Sequence, residues 1–133
     1  IAEIGPEIDG PAALAAWEKS VNAPVWDREP VWNHGDLAGG NMLIRDGRLS
    51  AVIDFGALCV GDPAVELLPA WTFFSGPARD AFREELDVDD ATWERGRGWG
   101  LSTAVIALPY YLHTHPGIVA QSRFQITEIL ATA

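Results

Sequence analysis

Residues 31–56 read VWNHGDLAGGNMLIRDGRLSAVIDFG, and the order of polar and apolar residues here decides how the rest of the chain is read. An apolar start, Val31 and Trp32, leads into a polar loop, His34-Gly35-Asp36-Leu37-Ala38-Gly39-Gly40-Asn41. Two apolar runs follow, Met42-Leu43-Ile44-Arg45 and Leu49-Ser50-Ala51-Val52-Ile53, with Asp46-Gly47 between them. An Asp-Gly pair between such runs predicts a β-hairpin. The second arm delivers Asp54, Phe55 and Gly56. A tight hairpin returns the end of its second arm to the start of its first, so Asn41 and Asp54 are expected to be neighbours, with Asp36 close by on the loop.

Two carboxylates and an amide at the ends of short apolar strands suit phosphoryl transfer. Magnesium carrying a nucleotide needs hard oxygen ligands, which Asn41 and Asp54 offer. The accepting hydroxyl needs an oriented carboxylate to take its proton, and Asp36 is the one left free. A bare His-Gly-Asp would say little, because Gly-Asp pairs are ordinary turn formers. Here order, spacing and hairpin context agree.

The pattern H-G-D-x-x-x-x-N followed by I-D-F-G resembles the catalytic and metal-binding segments of the aminoglycoside phosphotransferase family, relatives of the protein kinases, whose H-R-D-x-x-x-x-N and D-F-G share its order and spacing. The run G-D-P-A-x-E-L-x-P-A-W at residues 61–71 resembles the segment that follows the metal-binding aspartate in that family, with Glu66 where Asp is more usual. Residues 107–111 and the helix starting at Pro116 also look like the end of such proteins. The loop departs from the commoner pattern in having Ala38-Gly39 where His or Ser followed by Pro is frequent, which predicts a floppier loop.

The resemblance implies an α+β, mostly helical fold: the C-terminal lobe of a protein-kinase-like enzyme, residues 1–133 forming one domain. It implies Mg2+ and ATP or GTP as cofactors, with Asp36 as base and Asn41 and Asp54 as metal and nucleotide ligands. The acceptor would be a hydroxyl of a small molecule, aminoglycoside-like or another amino-alcohol or sugar. The family's N-terminal nucleotide-binding lobe, with its covering loop and strand lysine, has no counterpart here, since the single lysine, Lys19, lies in a helical pattern. The expectation is a lobe without its partner lobe, inactive alone, with an uncovered inter-lobe surface able to pair two copies. The rival reading is a non-catalytic half-protein. A metallophosphoesterase using His113 and His115 needs an upstream Asp-x-His strand motif, and the sequence has none.

Composition narrows the partners. A net charge of −10 argues against nucleic acid and anionic membranes. It suits a cationic ligand and equally suits a plain solvated acidic surface. No apolar run is long enough to span a bilayer, which with the lack of a signal peptide reads as cytosolic. One cysteine, Cys59, excludes an internal disulfide and is expected as a small buried hydrophobe.

Helices are expected over residues 11–21 with Leu14, Trp17 and Val21 on the packed face, over 63–74 with a break at Pro69, over 77–86, over 91–113 with a kink near Pro109, and over 116–130. Residues 1–10, acidic and punctuated by Gly and Pro, give no clear start to a fold. Trp17, Trp71, Trp93 and Phe55 are expected in the core. His34 is expected to orient the loop, Asp62 to cap a helix, and the His113-Thr114-His115 pair to sit at a helix C-terminus. The run Gly96-Arg97-Gly98-Trp99-Gly100 looks like a phosphate loop but falls mid-helix without a preceding strand, so close helix packing is expected.

Overall fold

A computed structural model of the chain describes residues 8–132; most of the acidic opening stretch lies outside them. Five α-helices carry the fold: α1 (Gly10–Val21), α2 (Pro69–Thr72), α3 (Gly76–Leu86), α4 (Asp90–Tyr111) and α5 (Pro116–Ala131). Four short strands, β1 (Val31–Asn33), β2 (Met42–Arg45), β3 (Arg48–Val52) and β4 (Cys59–Gly61), make two separate antiparallel pairs. β2 pairs with β3 as the expected hairpin, with a register shift between Leu43 and Ile44. β1 pairs with β4, Asn33 opposite Cys59 and Val31 opposite Gly61. The residues of β4 read from sequence as an apolar loop; pairing with a strand some thirty residues earlier is a non-local fact that no local pattern carries. The outer pair closes a loop that holds everything from His34 to Leu58, so the hairpin is nested inside a second antiparallel closure.

Helix starts follow the sequence closely. Asp9 caps α1 by accepting from Ala12 N at 3.0 Å, and Pro11, Pro69, Pro77 and Pro116 each stand in a first helical turn, where the missing N–H is no loss. Asp89 caps α4 by accepting from Thr92 N at 2.7 Å. After Asp62, residues Pro63–Leu67 form a 3-10 turn rather than an α-helix, and α2 stops at Thr72, short of the expected Phe74. His115 caps the start of α5, Nδ1 accepting from Ile118 N at 3.2 Å. That overturns the expected helix C-terminal role, because an accepting Nδ1 must be unprotonated.

The core forms where α4 meets α1, α5 and the 3-10 turn. Trp71, Ala70, Leu108 and Ile129 are fully buried, and Trp93 stacks on Trp71 with ring centroids 5.0 Å apart. Three glycines one residue apart let these elements close on α4. A Cβ at Gly96 would fall 2.7 Å from Leu67 Cδ1, one at Gly98 2.7 Å from Ser20 Cβ, and one at Gly100 3.3 Å from Ile129 Cδ1. Close helix packing is thus what these glycines provide.

Three expectations for the core fail. α1 buries Ala13, Ala16 and Ser20 instead, leaving Leu14, Trp17 and Val21 exposed. Small residues meet α4 because Gly98 lets the two backbones approach, and a Trp has no room there. Phe55 is 56% exposed, and Cys59 is exposed too, since β4 lies at the surface with β1. Buried charge is tied down. Arg79 donates to Ala70 O at 2.6 Å and to Phe74 O at 3.1 Å, and pairs with Glu128. Arg97, on α4, pairs with Glu94 at 3.5 Å and donates to the Thr132 carbonyl at the end of α5. Burial lowers its pKa from the ordinary arginine value.

The Asp89 cap gives a pH-dependent prediction. The backbone hydrogen bond from Thr92 holds its pKa below the usual 3.8. A depressed carboxylate contributes stability above its unfolded value, lost as pH falls through the folded one. Asp89→Ala should cost about 1 kcal/mol at neutral pH, with the gap to wild type closing below pH 3.8. Urea melts across pH check this; a gap unchanged at low pH contradicts it.

Candidate active site

Strand β1 ends in Asn33, which is 1% exposed. Its amide donates to Val31 O and to Asp62 O, both at 3.3 Å. This fixes the entrance to the loop against the segment that follows β4. The next residue, His34, is also buried. Its Nε2 lies 2.8 Å from Ile53 O, and Asp36 N donates to its Nδ1 at 3.3 Å. Because Nδ1 accepts, the proton sits on Nε2 and is given to the Ile53 carbonyl. The imidazole thus bridges the loop to the arm that delivers Asp54, as its expected orienting role requires. Phe55 packs on its ring, centroids 4.7 Å apart.

Gly35 is the hinge of the turn. Its φ is +83°, and a Cβ would lie 2.4 Å from Ala57 O, so no side chain fits. Its N–H donates to Glu66 Oε1 at 2.8 Å. Glu66, in the position where an Asp is more usual, therefore still reaches the loop with its longer side chain.

The loop then closes on itself. Asn41 Nδ2 donates to Asp36 O at 2.8 Å and to Asp36 Oδ2 at 3.1 Å. Both bonds use the amide nitrogen, leaving Asn41 Oδ1 as an acceptor. Ile53 N donates to Asn41 O at 3.0 Å, which puts Asp54 next to Asn41 across the hairpin end. Asp54 itself adopts a left-handed backbone, φ 61°, uncommon for a residue with a Cβ. Its Oδ1 accepts from Gly56 N at 3.4 Å. Asp36 and Asp54 are open to solvent while His34 and Asn33 behind them are buried. The two carboxylates face outward and the residues that hold the loop face inward.

Sequence reading singled out Asp36, Asn41, Asp54, His34 and Glu66. Asp62 caps the 3-10 turn, accepting from Ala64 N at 2.9 Å, and also takes Arg95 Nε at 2.6 Å. Arg95, which further holds the Pro24 carbonyl, was not foreseen, because nothing local links it to a residue 33 positions earlier. Asn33 had a signal that went unused: a polar residue inside an apolar strand needs buried partners.

The donor set fits magnesium. No group of three or more His, Cys, Asp or Glu that could hold a metal occurs among the described residues. Asn41 Oδ1 and Asp54 supply two oxygens, which is what Mg2+ takes from a protein when phosphates and water complete its shell. A separate groove of about 220 Å3 between α1 and α4, lined by Trp17, Val21, Asp62 and Trp99, contains none of Asp36, Asn41 and Asp54.

With the loop, the hairpin and Glu66 in place, the family can be named. The model described as "Phosphotransferase enzyme family" matches residues 4–99. The chain belongs to the phosphotransferase enzyme family. Among solved structures, a gentamicin–APH(2″)-IIa complex is 20% identical over 99% of this chain and 48% of its own, with a TM-score of 0.51. The aminoglycoside phosphotransferase APH(2″)-Ib with ADP bound is also 20% identical, over 97% of this chain and 47% of its own, TM-score 0.50. At this identity the likeness concerns the fold, and the mostly helical aminoglycoside-kinase fold is the one present. The chain spans about half the length of the solved structures it matches. No curated protein sequence matches it. No helix among the described residues is long and apolar enough to cross a membrane.

Gly39 gives a test of loop stiffness. It follows Ala38, which is extended at φ −78° and ψ 160°, and it starts the short 3-10 turn. That is the backbone a following proline demands. Gly39→Pro should raise stability by about 0.5 kcal/mol through a less flexible unfolded chain, read as a higher Tm by calorimetry. A lower Tm would show that the Gly39 backbone is not free to take the ring.

Proposed function

We propose that this chain is the C-terminal lobe of a small-molecule kinase that moves the γ-phosphoryl of ATP or GTP to a hydroxyl of a small acceptor. The observation that carries the reading is the hydrogen bond from Asn41 to Asp36, made at the hairpin end where Asp54 sits in its left-handed conformation. It lies within the residues matched by the family.

Asp36 accepts the proton of the acceptor hydroxyl as its oxygen attacks. Asn41 holds Oδ2, so Oδ1 is the oxygen turned to the acceptor, and it needs no reorientation during the reaction. The Asp36 peptide is fixed from behind by His34, and the Gly35 peptide by Glu66. Asn41 Oδ1 and the Asp54 carboxylate would hold Mg2+, which when bound would neutralise charge on the transferred phosphate.

The gripping of the nucleotide is assigned to a second, N-terminal lobe. Support comes from the coverage of about half of each solved relative and from the single lysine being in α1, paired with Glu94 at 3.6 Å. The hairpin and outer strands expose Val31, Trp32, Leu43, Ile44, Leu49, Ile53 and Val60. This apolar wall would meet such a lobe, or a second copy of the chain when no lobe covers it. Acceptors of the aminoglycoside type fit the net charge of −10, nucleic acid and membrane surfaces do not, and the setting proposed for the reaction is cytosolic. The acceptor side is assigned to the helices after Trp71.

Asp36→Asn keeps the loop's shape and removes the base. In the intact enzyme it should lower kcat by about 100-fold or more with little change in nucleotide KM. The 133-residue chain alone should release no ADP from Mg·ATP and gentamicin. Undiminished transfer in Asp36→Asn would overturn the assignment of the base. If the wild-type enzyme transferred nothing either, the non-catalytic half-protein would be the better reading.

A further inference from the structure

Arg95 stands near the start of α4 and spends its guanidinium on three stretches of chain. Nε donates to Asp62 Oδ2 at 2.6 Å and Nη2 to Asp62 Oδ1 at 3.1 Å, a two-pronged pair. Nη2 also donates to Thr92 Oγ1 at 3.1 Å, and Nη1 to the Pro24 carbonyl in the linker after α1. The pair is sheltered, with the Arg95 side chain 13% and the Asp62 side chain 29% exposed. A helix cap needs one oxygen, and Asp62 gives that to Ala64 N at 2.9 Å. A fork on both oxygens goes beyond capping, because it keeps the carboxylate from turning.

Asp62 in turn holds the loop that carries Asp36. Its carbonyl accepts from Asn33 Nδ2 at 3.3 Å. In the 3-10 turn that Asp62 caps, Glu66 Oε1 accepts from Gly35 N at 2.8 Å. The residues on either side of His34 thus rest on this turn. Its far end is seated on α4 at Gly96, where a Cβ would fall 2.7 Å from Leu67 Cδ1. Its near end is seated by Arg95. Asn33 is buried, yet both of its amide bonds are long at 3.3 Å, and its Oδ1 has no hydrogen-bond partner among the described residues. A side chain so weakly tied takes its place from the residue it leans on.

We propose that Arg95 is a positioning residue for the phosphoryl transfer: by gripping both oxygens of Asp62 it sets where the loop begins, and so where Asp36 stands. The inference rests on the phosphotransfer reading and adds to it a residue outside the loop that acts through Asp62 and Asn33.

Arg95 and Asp62 both line the groove between α1 and α4, so Arg95→Ala leaves a space beside Asp62 that ethylguanidinium can enter from solvent. In the 15N-labelled chain, Arg95→Ala should shift the Gly35 and Asp36 amide resonances and leave that of Ile118 on α5 in place. Ethylguanidinium should return both toward wild type saturably, whereas ethylammonium, with the same charge and no fork, should not. Asp62→Asn keeps an acceptor for Ala64 N and should shift the same two resonances, which serves if Arg95→Ala does not fold. In the intact enzyme, Arg95→Ala should lower kcat for transfer from Mg·ATP to gentamicin about ten-fold with the nucleotide KM kept, and ethylguanidinium should return part of the loss. Gly35 and Asp36 resonances that stay in place while the melting temperature falls show a structural tie only and overturn the proposal. Equal restoration by ethylammonium overturns it too, as does an unchanged kcat. Transfer that survives Asp36→Asn would overturn the phosphotransfer reading and leave the resonance shifts standing, so the two failures can be told apart.

Discussion

The site depends on one side-chain amide. Asn41 spends its Nδ2 on the backbone and carboxylate of Asp36 at once. The bond to the carboxylate is charge-assisted and stronger than a neutral one. It couples two positions to which the proposed function gives different tasks: the Asp36 carboxylate cannot turn without pulling on the Asn41 amide. Because Asn41 O also accepts from Ile53 N, the same residue sets where the hairpin ends and so where Asp54 begins. The proposed base, the proposed metal ligands and the strand register thus all depend on one residue that is itself only half-buried.

Everything beneath that residue serves to keep it still. Asn33, His34 and Glu66 hold the loop from the core side, while Arg95 fastens Asp62 to α4 and to the linker after α1. Helix α4 is the post to which these are tied. Its three mid-helix glycines each cost about 1 kcal/mol in helix propensity. In return α1 and the 3-10 turn approach to distances that a single Cβ would forbid, and α5 to one that a Cβ would crowd. Among the described residues three buried polar atoms, Asn33 Oδ1, Trp71 Nε1 and Arg97 Nε, have no hydrogen-bond partner, and α1 and the strands carry much of the exposed apolar surface.

What could be read from sequence follows the range of the interactions involved. The hairpin, the cap at Asp62, the starts at proline and the close packing at Gly96, Gly98 and Gly100 are set by neighbours along the chain, and each is found as expected. The strand pair β1–β4 and the Arg95 bracket join residues about thirty apart, and no local pattern announces them. Apolar character misled where it was taken for burial. Trp17, Phe55 and Cys59 are exposed, because α1 packs through alanine and serine and the strands form a surface rather than a core. His115 shows a related limit: a histidine between two helices serves the second as a neutral cap, and the spacing alone fitted the end of the first equally well.

The central claim is that Asn41 and Asp54 together form the metal side of a phosphoryl-transfer wall, with Asp36 beside them. The most direct measurement adds Mn2+·ADP to the 15N-labelled chain and follows paramagnetic broadening of the amide resonances. The account predicts broadening centred on Asn41 and Asp54, reaching Asp36 and lost in Asp54→Asn. Broadening centred instead on the acidic surface of α3, at Asp80, Glu84 and Glu85, or broadening indifferent to Asp54→Asn, would contradict it.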